Sequence, residues 1–191
     1  MRKLKMHLHI SLDGRVETGA WGLQWAAYTD AIGAHARSLT AGTDTVVYGP
    51  KTYAGMASYW PNVPADPNAT EGELKHAAWV NAATKILVSA TAAEANATWD
   101  KTILLRRAED LAAIKQQPGL DVMSFGNPNL VASCLRLGLV DELHLFLNPI
   151  ILGGAPGPFD TLPQTNLTLL GSTPLEAGVI ALVYGPATAD A

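Results

Sequence analysis

Cysteine is nearly missing from this chain. Cys134 stands alone, so neither a disulfide framework nor a cysteine-based zinc cluster can be built. On the apolar side of a predicted helix it reads as packing rather than as a nucleophile. Charge is sparse too: 16% of the 191 residues are charged, the net charge is −4, and no block of lysine or arginine occurs. Duplex nucleic acid is thereby disfavoured as a partner, because affinity for it rests on clustered cations. No apolar run is long enough to span a bilayer, and the start MRKLKMHLHISLDG lacks the apolar centre and small-residue cleavage site of a secretory leader. The expectation is a cytoplasmic protein without membrane contact, in which the N-x-T matches at Asn68, Asn96 and Asn166 are chance. Also absent are G-x-G-x-x-G, which disfavours a Rossmann domain, and the H-x-E with P-C-x-x-C of zinc deaminases.

What is present is a globular balance, with 48% hydrophobic residues. A chain of this size buries roughly 70% of its extended surface, enough for a core without covalent staples. We expect one domain over residues 1–185 and a short flexible tail at 186–191. Leu4, Met6, Leu8, Ile10 and Leu12 alternate with polar residues and predict a strand with one buried face. His7 and His9 share its other face, either as an H-x-H metal pair without a visible third ligand or as polar residues beneath a covering helix. Further strands are expected at 45–48, 85–89, 102–105, 121–125, 143–147, 167–170 and 179–184. Helices are expected from Thr29 or Asp30 to Thr40, from Lys51, around 74–81, at 108–116 and from Pro128 to Gly138. Pro61 to Pro67 reads as an irregular surface loop. Strands alternating with helices and closed by consecutive strands argue a mixed sheet covered on both faces.

Two segments share one grammar. VVYG-PKTY at 46–53 and MSFG-NPNL at 123–130 each run strand, glycine, proline in the first helical turn, helix. Proline suits that position because the N–H it lacks has no helical partner there, and Asn127 suits an N-cap. A glycine turn admits a close-lying anion, and the helix start favours negative charge. The bland alternative is a pair of ordinary α/β turns without a ligand. Ser89 and Thr91 place two hydroxyls at a third strand end, either for phosphate or to cap the next turn.

SLDG at 11–14, G-x-K-T-Y at 49–53 with Trp60-Pro61, DLAAIKQQPGLDV at 110–122, GLVDEL at 138–143, and PIILGG with Phe159 occur in an order that resembles the dihydrofolate reductase-like family. Within it, the chain is similar to the branch of the riboflavin-biosynthesis (RibD) C-terminal reductase domain. The resemblance implies a three-layer α/β/α sandwich with a mixed, mostly parallel sheet, NADPH along the strand ends, and hydride transfer to a small pterin- or pyrimidine-like heterocycle. Carried over by position, Gly49, Pro50, Lys51 and Thr52 cradle cofactor phosphate, and Ser89 and Thr91 lie near the adenosine 2′-phosphate. Gly126, Asn127, Pro128 and Asn129 lie toward the pyrophosphate and nicotinamide. Asp13, Trp21 and Trp25 belong to the loop that covers substrate, and Asp30 is the nearest counterpart of the acid that dihydrofolate reductases use catalytically, though it serves equally as a helix cap. A homodimer is implied as well.

Three departures shape these expectations. Pro50 replaces the arginine of the family's G-R-x-T, which leaves NADH as a possible cofactor unless Lys51, Arg106 or Arg107 compensates. Asn127 replaces the second glycine of a Gly-Gly pair whose bond is cis in dihydrofolate reductases. The acid in the first helix has no firm equivalent. The leading expectation is therefore an NAD(P)H-dependent reductase on a stand-alone domain. The alternative is a non-catalytic nucleotide- or ligand-binding protein on the same fold, and a purely structural role is weakest because it leaves both glycine turns unexplained.

Overall fold

In the computed structural model, residues 1–16, 23–154 and 157–187 are described. The alternation at the start of the chain becomes strand β1 (Leu4–Ser11), with Leu4, Met6, Leu8 and Ile10 packed into one core. Around it form β2 (Thr43–Tyr48), β3 (Thr84–Val88), β4 (Thr102–Leu105), β5 (Asp121–Phe125), β6 (Glu142–Asn148), β7 (Leu167–Pro174) and β8 (Ile180–Pro186). The helices are α1 (Asp30–Ser38), α2 (Pro50–Tyr59), α3 (Glu71–Ala82), α4 (Leu111–Gln116) and α5 (Pro128–Arg136).

The eight strands make one sheet in the order β4-β3-β2-β5-β1-β6-β8-β7. From β4 to β6 all neighbours are parallel; β8 alone runs against the rest, pairing antiparallel with both β6 and β7. A parallel sheet needs cover on both faces. Leu111 and Ile114 of α4 with Leu130, Val131 and Cys134 of α5 cover one face, against β1 and Val47. On the other, Tyr53 of α2 and Val80 of α3 pack on Val46, Tyr48 and Leu87, while Ile32 of α1 packs on Phe146 and Ala181. The result is the three-layer α/β/α sandwich that the resemblance implies.

The topology fixes where a ligand can enter. After β2 the chain moves outward to β3 and β4; after β5 it moves the opposite way to β6. Right-handed crossovers in opposite directions place their helices on opposite faces, so α2 and α5 diverge from neighbouring strands and leave a crevice between their starts.

Some boundaries differ from the sequence expectations. Thr29, not Asp30, caps α1, its Oγ1 accepting from Ile32 N–H at 3.3 Å. The helix expected at 108–116 opens with a 3₁₀ turn, Ala108–Asp110, before α4 begins. The loop at 61–67 contains another, Val63–Ala65. Pro186, placed by sequence in the tail, pairs with Leu167 and so belongs to the sheet, while residues 188–191 lie outside the described residues. No helix among the described residues is long and apolar enough to cross a membrane.

Candidate functional site

The carboxyl ends of β4, β3, β2 and β5 lie side by side, and each leads into a segment marked out by the sequence. Val46 of β2 stands in register with Met123 of β5, so the Gly49 and Gly126 turns emerge next to each other. Each helix starts with proline, Pro50 and Pro128, and neither first turn carries an acidic residue. Helix starts expose N–H groups that no helical carbonyl reaches, and here nothing acidic competes for them. Gly126 has φ +74°, a conformation that side chains resist, and its N–H donates to His7 O at 2.9 Å. Among the described residues no peptide bond is cis, so the 126–127 bond is trans, unlike its counterpart in dihydrofolate reductases.

Asn127 does not cap its helix in the way the sequence suggests. It holds the cap position by backbone, at φ 61° and ψ 56°, but its side chain makes no bond to the first turn of α5. Its Oδ1 instead accepts from Gly49 N–H at 2.7 Å, and its Nδ2 donates to Ser124 Oγ and Phe125 O, both at 3.0 Å. The physical reason is the left-handed backbone, which takes the residue out of the extended conformation used by a capping side chain. Thr52 is half-buried beside Gly126, whereas Pro50, Lys51 and Asn129 are exposed along the crevice and Pro128 is half-buried.

At the neighbouring strand end Ser89 is buried, and its Oγ accepts from Ala92 N–H at 3.0 Å, the turn-capping alternative. Thr91 is exposed. Beyond β4, Arg106 pairs with Glu94 and donates to Ala92 O, and Arg107 pairs with Glu109. Both pairs are exposed and worth little in water, so either guanidinium is exchangeable toward a phosphate.

Asp13 is committed elsewhere. Its carboxylate accepts from Ser11 Oγ at 2.6 Å and from the N–H groups of Leu152 and Gly153 at 3.0 and 2.8 Å, which tie the end of β1 to the 150–154 segment. These donors hold its carboxyl down at about 2. Its role in the structure is to brace a loop, and the carboxylate has little accepting capacity left for substrate. Trp21 lies outside the described residues. Trp25 is half-buried, and its indole N–H is buried without a hydrogen-bond partner. Asp30 is exposed as the first residue of α1, consistent with a favourable charge at a helix start.

A larger feature escaped the sequence reading. All five histidines of the chain gather on the face covered by α1 and α3, around Phe125 and Phe146. His7 meets Phe146 at 4.4 Å between ring centroids and His9 at 5.3 Å; His35 reaches Phe146 at 5.6 Å, and His76 reaches Phe125 at 5.8 Å. His144 stands in register with His7 and pairs with Glu142 at 3.0 Å. Burial pushes His9 and His76 down to about 4 and His7 well below its ordinary value; it also lowers His144 despite the opposing pull of Glu142. These four imidazoles are neutral at pH 7. Nε2 of His7, a residue 3% exposed, has no hydrogen-bond partner. The H-x-H spacing put two of the five on one face; the others needed the strand order and helix docking. Among the described residues, no three His, Cys, Asp or Glu are arranged to hold a metal ion.

Comparison with known proteins bears on this arrangement. The family model described as the RibD C-terminal domain matches residues 2–181. The chain is 29% identical over 188 residues to the uncharacterized protein YyaP of Bacillus subtilis (strain 168), covering 96% of this chain and 94% of that one. Among solved structures it is similar to a candidate riboflavin biosynthesis protein of Shewanella sp. PV-4, with TM-score 0.71, 16% identity, and coverage of 97% and 99% of the two chains. A pyrimidine reductase-like protein of Corynebacterium diphtheriae gives TM-score 0.64 at 18% identity, over 98% of this chain and 92% of that one. A diaminohydroxyphosphoribosylaminopyrimidine deaminase/5-amino-6-(5-phosphoribosylamino)uracil reductase of Thermotoga maritima gives TM-score 0.64 at 12% identity, over 97% of this chain and 57% of that one.

Proposed function

The chain belongs to the RibD C-terminal domain family, and from that premise we propose that it is an NAD(P)H-dependent reductase that transfers hydride to a small, uncharged heterocycle. The observation that carries this reading is the pair of glycine turns on adjacent parallel strands, at the point where their helices part to opposite faces. Open α/β sheets bind extended nucleotides at that switch point. The residues present fit such a cofactor. First-turn N–H groups of α2 and α5 would hold its phosphates, with Thr52 adding a hydroxyl and Arg106 or Arg107 a charge toward the adenosine end. The cofactor, when bound, supplies the hydride.

The protein's part is positioning and exclusion of water. Phe125 sits between the Gly126 turn and the histidine face, touching His7 and His76. A ring seated beside it meets aromatic walls and neutral imidazoles that can both donate and accept hydrogen bonds. A cationic ring gains no free carboxylate from the described residues: Asp30 is exposed, Asp13 is engaged by backbone N–H groups, and Glu142 is paired with Lys3 and His144. That same lack of a delivered acid favours a second reading, a ligand-binding protein that does not turn over.

Titration with NADPH and NADH, followed by tryptophan quenching and energy transfer, tests the cofactor. Binding of either is expected, with modest preference between them because Pro50 removes the family's arginine. No signal into the millimolar range would sink the proposal. Binding without NADPH oxidation across pyrimidines and pterins would select the second reading.

A further inference from the structure

Asn127 accepts a left-handed backbone that glycine adopts with less strain, yet it is 6% exposed and both ends of its amide are engaged. One end faces its own strand, through Ser124 Oγ and Phe125 O. The other reaches the opposite turn, through Gly49 N–H at 2.7 Å. The contact is answered from the far side: a methyl placed on Gly126 would come within 3.8 Å of Thr52 Cγ2, so the first turn of α2 stands over the turn that launches α5. Because α2 and α5 leave for opposite layers of the sandwich, they share no common helix layer that would fix their starts together.

We propose that Asn127 is a positioning residue, a bridge that sets the spacing of the two helix starts so that their N–H groups meet the cofactor's phosphates together. This role rests on the dinucleotide reading above. The bridge occupies Gly49 N–H itself, so the anion is met by groups further into each first turn. Affinity then depends on how rigidly those groups are held beforehand, since donors already in place lose little freedom on binding.

Asn127→Gly deletes the bridge while suiting the backbone. Its Kd for NADPH is expected to rise about fivefold or more, the loss of roughly one hydrogen bond's worth of preorganisation. Gly49 amide exchange should accelerate about tenfold as its acceptor disappears. Asn127→Asp keeps an acceptor for Gly49 N–H, so exchange should stay slow while NADPH weakens through repulsion that added salt relieves. Should the aspartate variant fail to fold, the glycine variant alone decides. Wild-type NADPH affinity in Asn127→Gly, or unchanged Gly49 exchange, would overturn the positioning role. Wild-type protein that binds neither NADPH nor NADH would overturn the dinucleotide reading and this role with it.

Discussion

His7 illustrates how a single side chain separates stability from function. Its Nε2 is buried without a partner, and leaving a buried polar atom unpaired costs about 1–3 kcal/mol. Phenylalanine at this position keeps a ring against Phe125 and Phe146 and removes that cost. If His7 serves only the core, His7→Phe should raise stability by about 1 kcal/mol in urea unfolding and leave ligand binding alone. If it serves a bound ring, stability should rise while KM for that ring increases and NADPH affinity stays put. We expect the second pattern; unchanged KM would return His7 to the core. Asn127 shows the complementary case, in which the residue type and its place after Gly126 are visible in sequence but its partner is not. Gly49 lies on another strand, 78 positions away, and only the pairing of β2 with β5 brings the two together.

At the scale of elements, the face under α1 and α3 carries a pH liability. His7, His9, His76 and His144 have folded-state pKa values below the unfolded value near 6.5, so the unfolded chain binds more protons as pH falls. Stability is therefore full above about pH 6.5 and declines as pH drops toward 4, where His9 and His76 titrate in the fold. The combined loss is on the order of a few kcal/mol. Urea unfolding from pH 7.5 to 4.5 should show it, and His9→Gln should flatten the slope; an equal slope in the variant would move the origin elsewhere. Much of the element pattern was legible beforehand. Period two marked β1, the two glycine-proline starts marked α2 and α5, and the motif order implied the sandwich. The histidine face was not, because it is assembled from β1, β6, α1 and α3, and no local pattern says which helix lands on which side. The bonds of Asp13 were hidden for a similar reason: the N–H groups of Leu152 and Gly153 reach its carboxylate only once the loop is closed.

Of the two borders of the sheet, at β4 and at β7, the second carries a run of exposed leucines. Leu167, Leu169 and Leu170 on β7 are 37%, 52% and 57% exposed. Open apolar edges invite pairing with another chain. The homodimer expected from the resemblance is accordingly proposed to form here, and light scattering should report twice the chain mass for the wild type and a monomer for Leu169→Lys with Leu170→Lys. A monomeric wild type, or a dimer that survives both lysines, would place the contact elsewhere or remove it.

The strand order also dictates when this protein can become itself. β1 never touches β2; β5 lies between them, and β6 lies on its other side. β1 thus has no sheet neighbour until residues 121–125 have been translated, and its second border stays bare until 142–148 follow. Contacts between such distant segments make folding slow, and the half-made chain keeps an apolar strand waiting for partners. During synthesis, the centre of the finished sheet is the segment most in need of a chaperone.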